Sequence, residues 1–239
     1  MRAPAVSLAL FSLVAAGVVT VAPAVTAATT TAASSSTVRW EMNEGHGART
    51  MRDSGGHSVN GTIGSEVQTG TTYDGATGYT FPYLKPNTPP THPQHLVKAS
   101  SSLLNPGSGY WSIEIRYRTT HAFGNLIQKG QATTAGGQFK IQLPGGRPQC
   151  YFKSGAGKDG VGYRTPIDNG NWHTLRCVKT SNSVTLYVDG VKRGSKVGPI
   201  GNLSNSYPLT IGGKPYCNQR SVSCDYFSGQ VDYVHITKG

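Results

Sequence analysis

Five tyrosines fall in or beside predicted loops, where their side chains could contact a sugar. They are Tyr151, Tyr163, Tyr207, Tyr216 and Tyr226. An exposed tyrosine offers a flat apolar ring and a hydroxyl group, which together suit the face and the oxygens of a sugar ring. Asn218, Gln219 and Arg220 follow Tyr216 closely and could add hydrogen bonds. We therefore predict a ligand-binding set of Tyr151, Tyr163, Tyr216, Asn218, Gln219, Arg220 and Tyr226, while noting that tyrosines also lie on surfaces that bind nothing.

The acidic residues argue against hydrolysis of glycosidic bonds. Retaining glycosidases need two carboxyl groups about 5 Å apart, and on one strand face this requires acids two or four positions apart. Glu41 and Glu44 are three positions apart, so a straight strand directs them to opposite faces. Glu114 shares its face with Arg116, which favours a surface ion pair over a general acid. No Gly-x-Ser-x-Gly or His-Glu-x-x-His motif is present, and we predict no catalytic residues.

The positive charge is concentrated in the second half of the chain. The formal net charge is +11, and residues 116–239 contain 16 of the 22 Lys and Arg residues but 5 of the 11 Asp and Glu residues. Such a surface attracts polyanions in a salt-dependent way, although it can also serve solubility alone. No motif typical of nucleic-acid binding accompanies the charge, so we do not expect nucleic acid as a partner.

Four cysteines predict two disulfides in an exported chain. They are Cys150, Cys177, Cys217 and Cys224, with no Cys-x-x-Cys pair that would suggest zinc. Three pairings are possible. Cys150 and Cys177 lie in predicted strands and could form a cross-strand bond. Cys217 and Cys224 would then close a small loop around residues 218–220, and this is the pairing that we favour.

The first 27 residues have the features of a secretory signal peptide. A basic start at Arg2 precedes a mostly apolar run over residues 6–21, and Val25-Thr26-Ala27 is a small-residue cleavage signal. A membrane span is the competing interpretation, but the run is short for a bilayer and no charged flank follows. We expect an exported, soluble monomer with a low-complexity linker over residues 28–37 and one domain over residues 38–239.

Period-two alternation recurs along that domain, whereas helical periodicity is not sustained. In residues 110–118 it places Trp111, Ile113, Ile115 and Tyr117 on one face, and in residues 138–143 it directs Lys140 outward. Residues 172–179, 184–188 and 191–195 read as three consecutive strands, the last two joined by Asp189-Gly190, which suits a type I′ turn. The same alternation predicts that Trp40, Trp111 and Trp172 point into the core. The fold class is therefore all-β, an antiparallel two-sheet sandwich.

Several segments resemble, in the right order, the laminin G-like modules of the concanavalin A-like lectin and glucanase superfamily. The hairpin in residues 171–195 carries Trp-His and Tyr-Val-Asp-Gly. Residues 38–45 are similar to the family's first strand, and residues 53–63 to its Asp-Ser-x-Gly loop. Residues 209–213 and 229–234 resemble its Gly-Gly strand and its closing strand. The resemblance implies a jelly-roll sandwich of the concanavalin A-like type.

The resemblance also implies a structural Ca²⁺ at the rim of the sandwich. The positions that match the family's motif are the Asp53 side chain, oxygens of Asn60 and Gly61, and Asp232. Such hard oxygen ligands suit calcium. Asn60 stands where the family often has an acid, which lowers the expected affinity. The alternative is that Asp53 caps a turn before Gly55 and that Asn60-Gly61 is a hairpin turn.

The expected function is that of a secreted, non-catalytic, lectin-like module that binds carbohydrate, in particular an anionic or cell-wall polysaccharide. The fold alone does not decide this, because it hosts binding modules, glycosidases and structural domains. Two alternatives therefore stay open. One is a glycoside hydrolase or polysaccharide lyase, and the other is a structural or protein-interaction domain without a sugar ligand.

Overall fold

The computed structural model describes residues 35–84, 92–216 and 224–239, which form two antiparallel β-sheets. We number the strands in chain order and call the sheets sheet I and sheet II. Short 3₁₀ turns, among them Pro93–His95, Ser102–Leu104 and Pro144–Gly146, connect strands, and the described residues contain no α-helix. In this part of the chain, no helix has the length and apolar character that a bilayer crossing requires. The predicted all-β class is confirmed.

Sheet I has eight strands. In spatial order they are β14 (Val191–Val197), β13 (Ser183–Val188), β12 (His173–Lys179), β7 (Trp111–Arg118), β16 (Gly229–Lys238), β5 (Ala76–Phe81) and β4 (Gln68–Tyr73), with β1 (Ser36–Trp40) paired to the second half of β16. The end strand β14 exposes most of its residues and carries Lys192, Arg193 and Lys196.

Sheet II also has eight strands. In spatial order they are β11 (Lys158–Gly162), β10 (Gln149–Lys153), β9 (Gln138–Gln142), β8 (Asn125–Lys129), β15 (Leu209–Ile211), β6 (Val97–Ala99), β3 (Gly61–Ile63) and β2 (Thr50–Met51). Neighbouring strands are antiparallel, so side chains at paired positions share one face of the sheet.

The core lies between the two sheets and takes alternate residues from both. In β7, all four predicted core residues, Trp111, Ile113, Ile115 and Tyr117, are fully buried. The ring of Trp111 packs on that of Phe139 in β9 of the opposite sheet, with centroids 4.7 Å apart. The alternation read from the sequence therefore identified the buried face of this strand correctly.

A disulfide between Cys150 and Cys177 crosses this core. Cys150 lies in β10 of sheet II and Cys177 in β12 of sheet I. The pairing predicted from the sequence is confirmed, but the two strands belong to different sheets and are not hydrogen-bonded neighbours. The second predicted pair includes Cys217, which lies outside the described residues.

The hairpin of β13 and β14 has the predicted two-residue turn. Asp189 and Gly190 both have positive φ, 51° and 76°, as a type I′ turn requires, and Val188 pairs with Val191 across it. The prediction for Trp172 was wrong. It precedes β12 and is half-buried, and the Arg116 guanidinium lies 4.7 Å from its ring centre.

Candidate functional site

A polar cavity of about 180 Å³ opens on the outer face of sheet II. We call it the amide pocket, and its lining residues are Gln128, Gln131, Ala132, Gln138, Lys140, Lys214 and Asp225. Three glutamines, two lysines and one aspartate offer hydrogen-bond donors and acceptors together with a net positive charge.

The strand register assembles one side of this pocket. Phe139 and Ile141 of β9 point into the core, so Gln138 and Lys140 point outward. Lys140 pairs with Gln128 of β8 on one side and with Tyr151 of β10 on the other. Residues far apart in sequence therefore form one row across three strands.

The turn after β15 positions Lys214 on the opposite side of the pocket. Thr210 pairs with Gln128, and its hydroxyl donates to the carbonyl oxygen of Gly213 at 2.6 Å. Gly213 has φ +153°, and a Cβ added there would lie 2.7 Å from the Tyr226 ring. Glycine therefore allows the close turn that leads the chain directly to Lys214.

A hydrogen-bonded network forms the floor of the pocket. The Asn125 amide donates to Gln128 Oε1 at 2.6 Å and to Asp225 Oδ2 at 3.3 Å, and Gln128 donates to the carbonyl oxygen of Gly130 at 2.7 Å. Asn125 and Gln128 are almost fully buried. These three bonds hold the two amides in fixed orientations.

Lys214 and Asp225 complete the floor as an ion pair. The Lys214 Nζ lies 2.9 Å from Asp225 Oδ2, with side chains 5% and 14% exposed. Asp225 and the preceding Cys224 both have φ of 56°, a left-handed conformation that costs about 1–3 kcal/mol for residues other than glycine. Strain of this kind persists where the surroundings enforce it, often at ligand sites.

Two polar groups in the pocket have no hydrogen-bond or ion-pair partner among the described residues. They are the amide of Gln138, which is 6% exposed, and the ammonium of Lys140. Lys140 Nζ lies 5.8 Å from the Tyr151 ring centre. Burial lowers the pKa of Lys140; nearby Asp225 opposes this shift, while Lys214 adds to it. An anionic ligand group would compensate this charge.

The predicted tyrosines are divided by the fold. Tyr151 lies beside the amide pocket through Lys140. Tyr216 lies at its rim, because its carbonyl oxygen accepts a hydrogen bond from Gln131 at 2.9 Å, and its side chain is 61% exposed. Its ring packs edge-on against Tyr207, with centroids 5.6 Å apart. Two of the predicted tyrosines therefore contact residues that line the cavity, without lining it themselves.

Tyr163 and Tyr226 are placed elsewhere. Tyr163 packs against the core and lies under the Arg193 guanidinium at 4.9 Å. Tyr226 is buried, and its hydroxyl accepts a hydrogen bond from the His92 backbone N–H at 2.8 Å. The predicted exposure of Tyr226 was therefore wrong. Asn218, Gln219 and Arg220 lie outside the described residues.

The Asp53 carboxylate is hydrogen-bonded to backbone N–H groups of its own loop and of β1. Its carboxylate accepts hydrogen bonds from the N–H groups of Arg39, Gly55, His57 and Val59, at 2.8–3.2 Å. Burial raises the pKa of Asp53, but these four bonds outweigh it and hold the pKa below its usual value. Asn60 Oδ1 in turn accepts the Asp53 N–H at 2.9 Å. Gly61 is buried in β3.

The other predicted calcium ligand, Asp232, binds Arg116 of the neighbouring strand β7. The sequence had placed Glu114 in an ion pair with Arg116; instead Glu114 accepts a hydrogen bond from the Tyr233 hydroxyl at 2.9 Å. Within residues 35–84, 92–216 and 224–239, no three His, Cys, Asp or Glu side chains are arranged to hold a metal. The residues as placed do not fit a Ca²⁺ ion, and calcium binding stays a prediction.

Comparison with known proteins agrees with this architecture. The family model Laminin_G_3, described as the concanavalin A-like lectin/glucanases superfamily, matches residues 93–239, more than half of the chain. The chain belongs to this superfamily. The resemblance seen in the sequence motifs is therefore confirmed, and it extends over most of both sheets.

A curated relative and two solved structures are similar to parts of this chain. Human laminin subunit alpha-1 is 28% identical over 110 residues, which are 44% of this chain and 4% of that subunit. Domain 4 of AbnA, an extracellular GH43 arabinanase from Geobacillus stearothermophilus solved with arabinotriose, has a TM-score of 0.56 at 16% identity and covers 84% of this chain and 91% of that one. The binding domain of Paraclostridial Mosquitocidal Protein 1 has a TM-score of 0.54 at 15% identity, covering 83% and 47%.

The sequence did not identify Gln128, Gln138, Lys214 and Asp225 as candidate site residues. Two of them are polar positions on half-buried strands, and such positions also occur on any solvated sheet face. The sequence signal that could have indicated this pocket was a set of three glutamines next to core residues. They are Gln138, Gln142 and Gln149.

Proposed function

We propose that this protein is an exported, non-catalytic carbohydrate-binding module that binds an anionic or cell-wall polysaccharide at the amide pocket. The observation that carries the proposal is a pair of polar groups without a hydrogen-bond or ion-pair partner in the described residues, the Gln138 amide and the Lys140 ammonium. They lie beside the hydrogen-bonded network of Asn125 and Gln128. Tyr151 and Tyr216 do not line the cavity, but each contacts a residue that does, Lys140 and Gln131 respectively. Oriented polar groups in the pocket with aromatic rings nearby are typical of small-ligand sites.

The charges favour an acidic sugar over a neutral one. Lys214 and Asp225 neutralise each other, so Lys140 supplies the net charge of the lining. A carboxylate or sulfate would accept a short, charge-assisted hydrogen bond from its ammonium. The excess of Lys and Arg in residues 116–239 would add longer-range attraction for a polyanionic chain.

One structural neighbour supports the class of ligand. Domain 4 of the arabinanase AbnA, which shares this fold over most of its length, is described in complex with arabinotriose. That protein shows that a sandwich of this architecture can hold an oligosaccharide. The ligand of the present chain is inferred from its own pocket, because the lining residues rather than the fold decide specificity.

The test is a glycan array with the full secreted chain at low and moderate salt. It should include uronic-acid, sulfated and teichoic-type ligands beside neutral glucans and galactans. We expect binding to a defined acidic glycan that survives added salt. Binding to all polyanions alike, lost as salt rises, would mean that the basic half is a non-specific surface and would overturn the proposal.

A matched pair of variants localises the site. Lys98 lies on the same face of sheet II and in the same row as Lys140, three strands away, or roughly 14 Å at 4.8 Å per strand. K140Q should weaken binding about tenfold or more, because a hydrogen bond to a charged group contributes about 1.5–3 kcal/mol. K98Q removes the same charge and should change affinity little. Equal losses in both variants would contradict the pocket assignment.

Turnover measurements separate the two alternative functions. Release of reducing ends or unsaturated products from the bound glycan would establish a hydrolase or lyase. Failure to bind any glycan would favour a structural or protein-interaction domain. Binding without turnover, sensitive to K140Q, is the result that the proposal requires.

A further inference from the structure

A second cavity, of about 320 Å³, lies on the outer face of sheet I, on the opposite side of the sandwich from the amide pocket. Three paired residues of adjacent strands form its floor, Thr80 of β5, Gln230 of β16 and Arg118 of β7. Their inward neighbours Tyr79, Tyr117 and Val231 are fully buried, so these three side chains point outward. The floor is therefore a short polar row across three strands.

An aromatic platform stands at one end of this floor. The ring of Tyr83 stacks on that of His121, with centroids 4.3 Å apart and planes 9° from parallel, and Tyr83 is 53% exposed. One face of the tyrosine ring is thus supported by the histidine, while about half of the residue is exposed. A supported, half-exposed ring suits stacking by a sugar ring.

A chain of hydrogen bonds fixes this platform. The Ser228 hydroxyl donates to the carbonyl oxygen of Pro82 at 3.2 Å, next to Tyr83. The Thr119 hydroxyl donates to the carbonyl oxygen of Ser228 at 2.6 Å, and accepts from the His121 N–H at 2.9 Å. Both platform residues are therefore tied to the start of β16, which reduces the entropy lost when a ligand binds.

The other end of the floor is also aromatic. Arg118 lies 5.3 Å from the Tyr73 ring centre and 5.9 Å from that of Trp172, and its guanidinium is paired with Asp74 at 2.9 Å. The ion pair cancels the charge of Arg118 while other guanidinium N–H groups can still donate. The Gln230 amide has no hydrogen-bond partner in the described part of the chain.

We propose that this cavity is a second carbohydrate site, specific for an uncharged sugar that stacks on Tyr83 and bonds to Gln230 and Arg118. The neutral lining distinguishes it from the amide pocket, where Lys140 carries an excess charge. Because the two cavities open on opposite outer faces, one molecule could hold two different glycan chains. This inference stands on its own residues and does not require the amide pocket to bind.

The test is calorimetric titration of the full secreted chain with neutral trisaccharides, arabinotriose, cellotriose and galactotriose. At least one should bind the wild type, and Y83A should lose about tenfold or more in affinity, as expected when a central aromatic contact is truncated. Phe123 is also a surface aromatic, 44% exposed, but does not line the cavity, so F123A is the matched control. Q230A provides a second variant that leaves the platform intact and should also weaken binding.

The outcomes separate the two sites. Loss of neutral-sugar binding in Y83A and Q230A, with acidic-glycan binding and melting temperature unchanged, is the expected result. Conversely, K140Q should not affect the neutral probes. If none of the three trisaccharides binds the wild type, or if Y83A and F123A bind equally, the second site is refuted while the amide pocket remains as it was.

Discussion

Lys214 and Asp225 lie 2.9 Å apart beneath the amide pocket, in a position that excludes most water from both charges. We expect D225N to lower the free energy of unfolding by about 1.5–3 kcal/mol, because it removes the charge from the group that accepts the charge-assisted hydrogen bond of the Lys214 ammonium. Asparagine tolerates the left-handed backbone at this position, so the change isolates the charge. Urea denaturation measures the effect. The exposed pair of Arg39 and Glu41 is the control, since R39Q should cost about 0–1 kcal/mol; equal losses would contradict the argument.

Asp53 should make the folding stability of the protein depend on pH in the acidic range. Its pKa is lower in the folded chain than the value of about 3.9 in an unfolded one. The stability that it contributes is therefore fully present above about pH 4 and is lost as pH falls through the folded-state pKa. D53N should lower the melting temperature at pH 7, and the difference from the wild type should shrink towards pH 2. A difference independent of pH would show that the four N–H bonds do not depend on the charge.

Calcium removal should leave the fold unchanged. The Asp53 and Asp232 carboxylates are engaged by backbone N–H groups and by Arg116, so neither is held in place by an ion. We expect the same melting temperature before and after EDTA treatment at pH 7, with metal removal verified by elemental analysis. A lower melting temperature that added Ca²⁺ restores would instead establish the calcium site that the sequence motifs imply.

The disulfide between Cys150 and Cys177 should contribute strongly to stability. It closes a loop with a sequence separation of 27 residues, for which loop-closure entropy predicts about 3.5 kcal/mol. The double substitution C150A/C177A should lose about this amount in urea denaturation and keep an unchanged β-rich circular dichroism spectrum. A loss below about 1 kcal/mol would mean that packing of the two sheets, rather than the cross-link, limits unfolding.

The strands were predictable wherever one face is buried. Period-two patterns located β7, β9 and the β12–β14 hairpin, because burial of every second residue is imposed by the pleat itself. Trp172 shows where this reasoning fails. It lies one residue before β12, where the backbone is no longer held in the sheet, and its ring is free to pack under Arg116 on the outer face.

The candidate sites were less predictable, because they depend on pairing between distant strands. Tyr151 was identified from its residue type, but its neighbours Lys140 and Gln128 come together only through the register of β8, β9 and β10. Nothing local in the sequence fixes that register. Tyr83 and His121 likewise meet through the junction of β5, β7 and β16, which are far apart in the chain.

The position of β14 at the end of sheet I has a consequence for concentrated solutions. Among the described strands, β14 has a hydrogen-bonded neighbour on one side only. An end strand of this kind can pair with a strand of a second molecule, which is a common start of aggregation. Lys192 and Arg193 lie along this edge strand, whereas Lys196 is paired with Asp159 of β11. Two copies approaching edge to edge would bring the cations of Lys192 and Arg193 together. The same residues that add to the basic surface thus discourage the sheet from growing beyond its eighth strand.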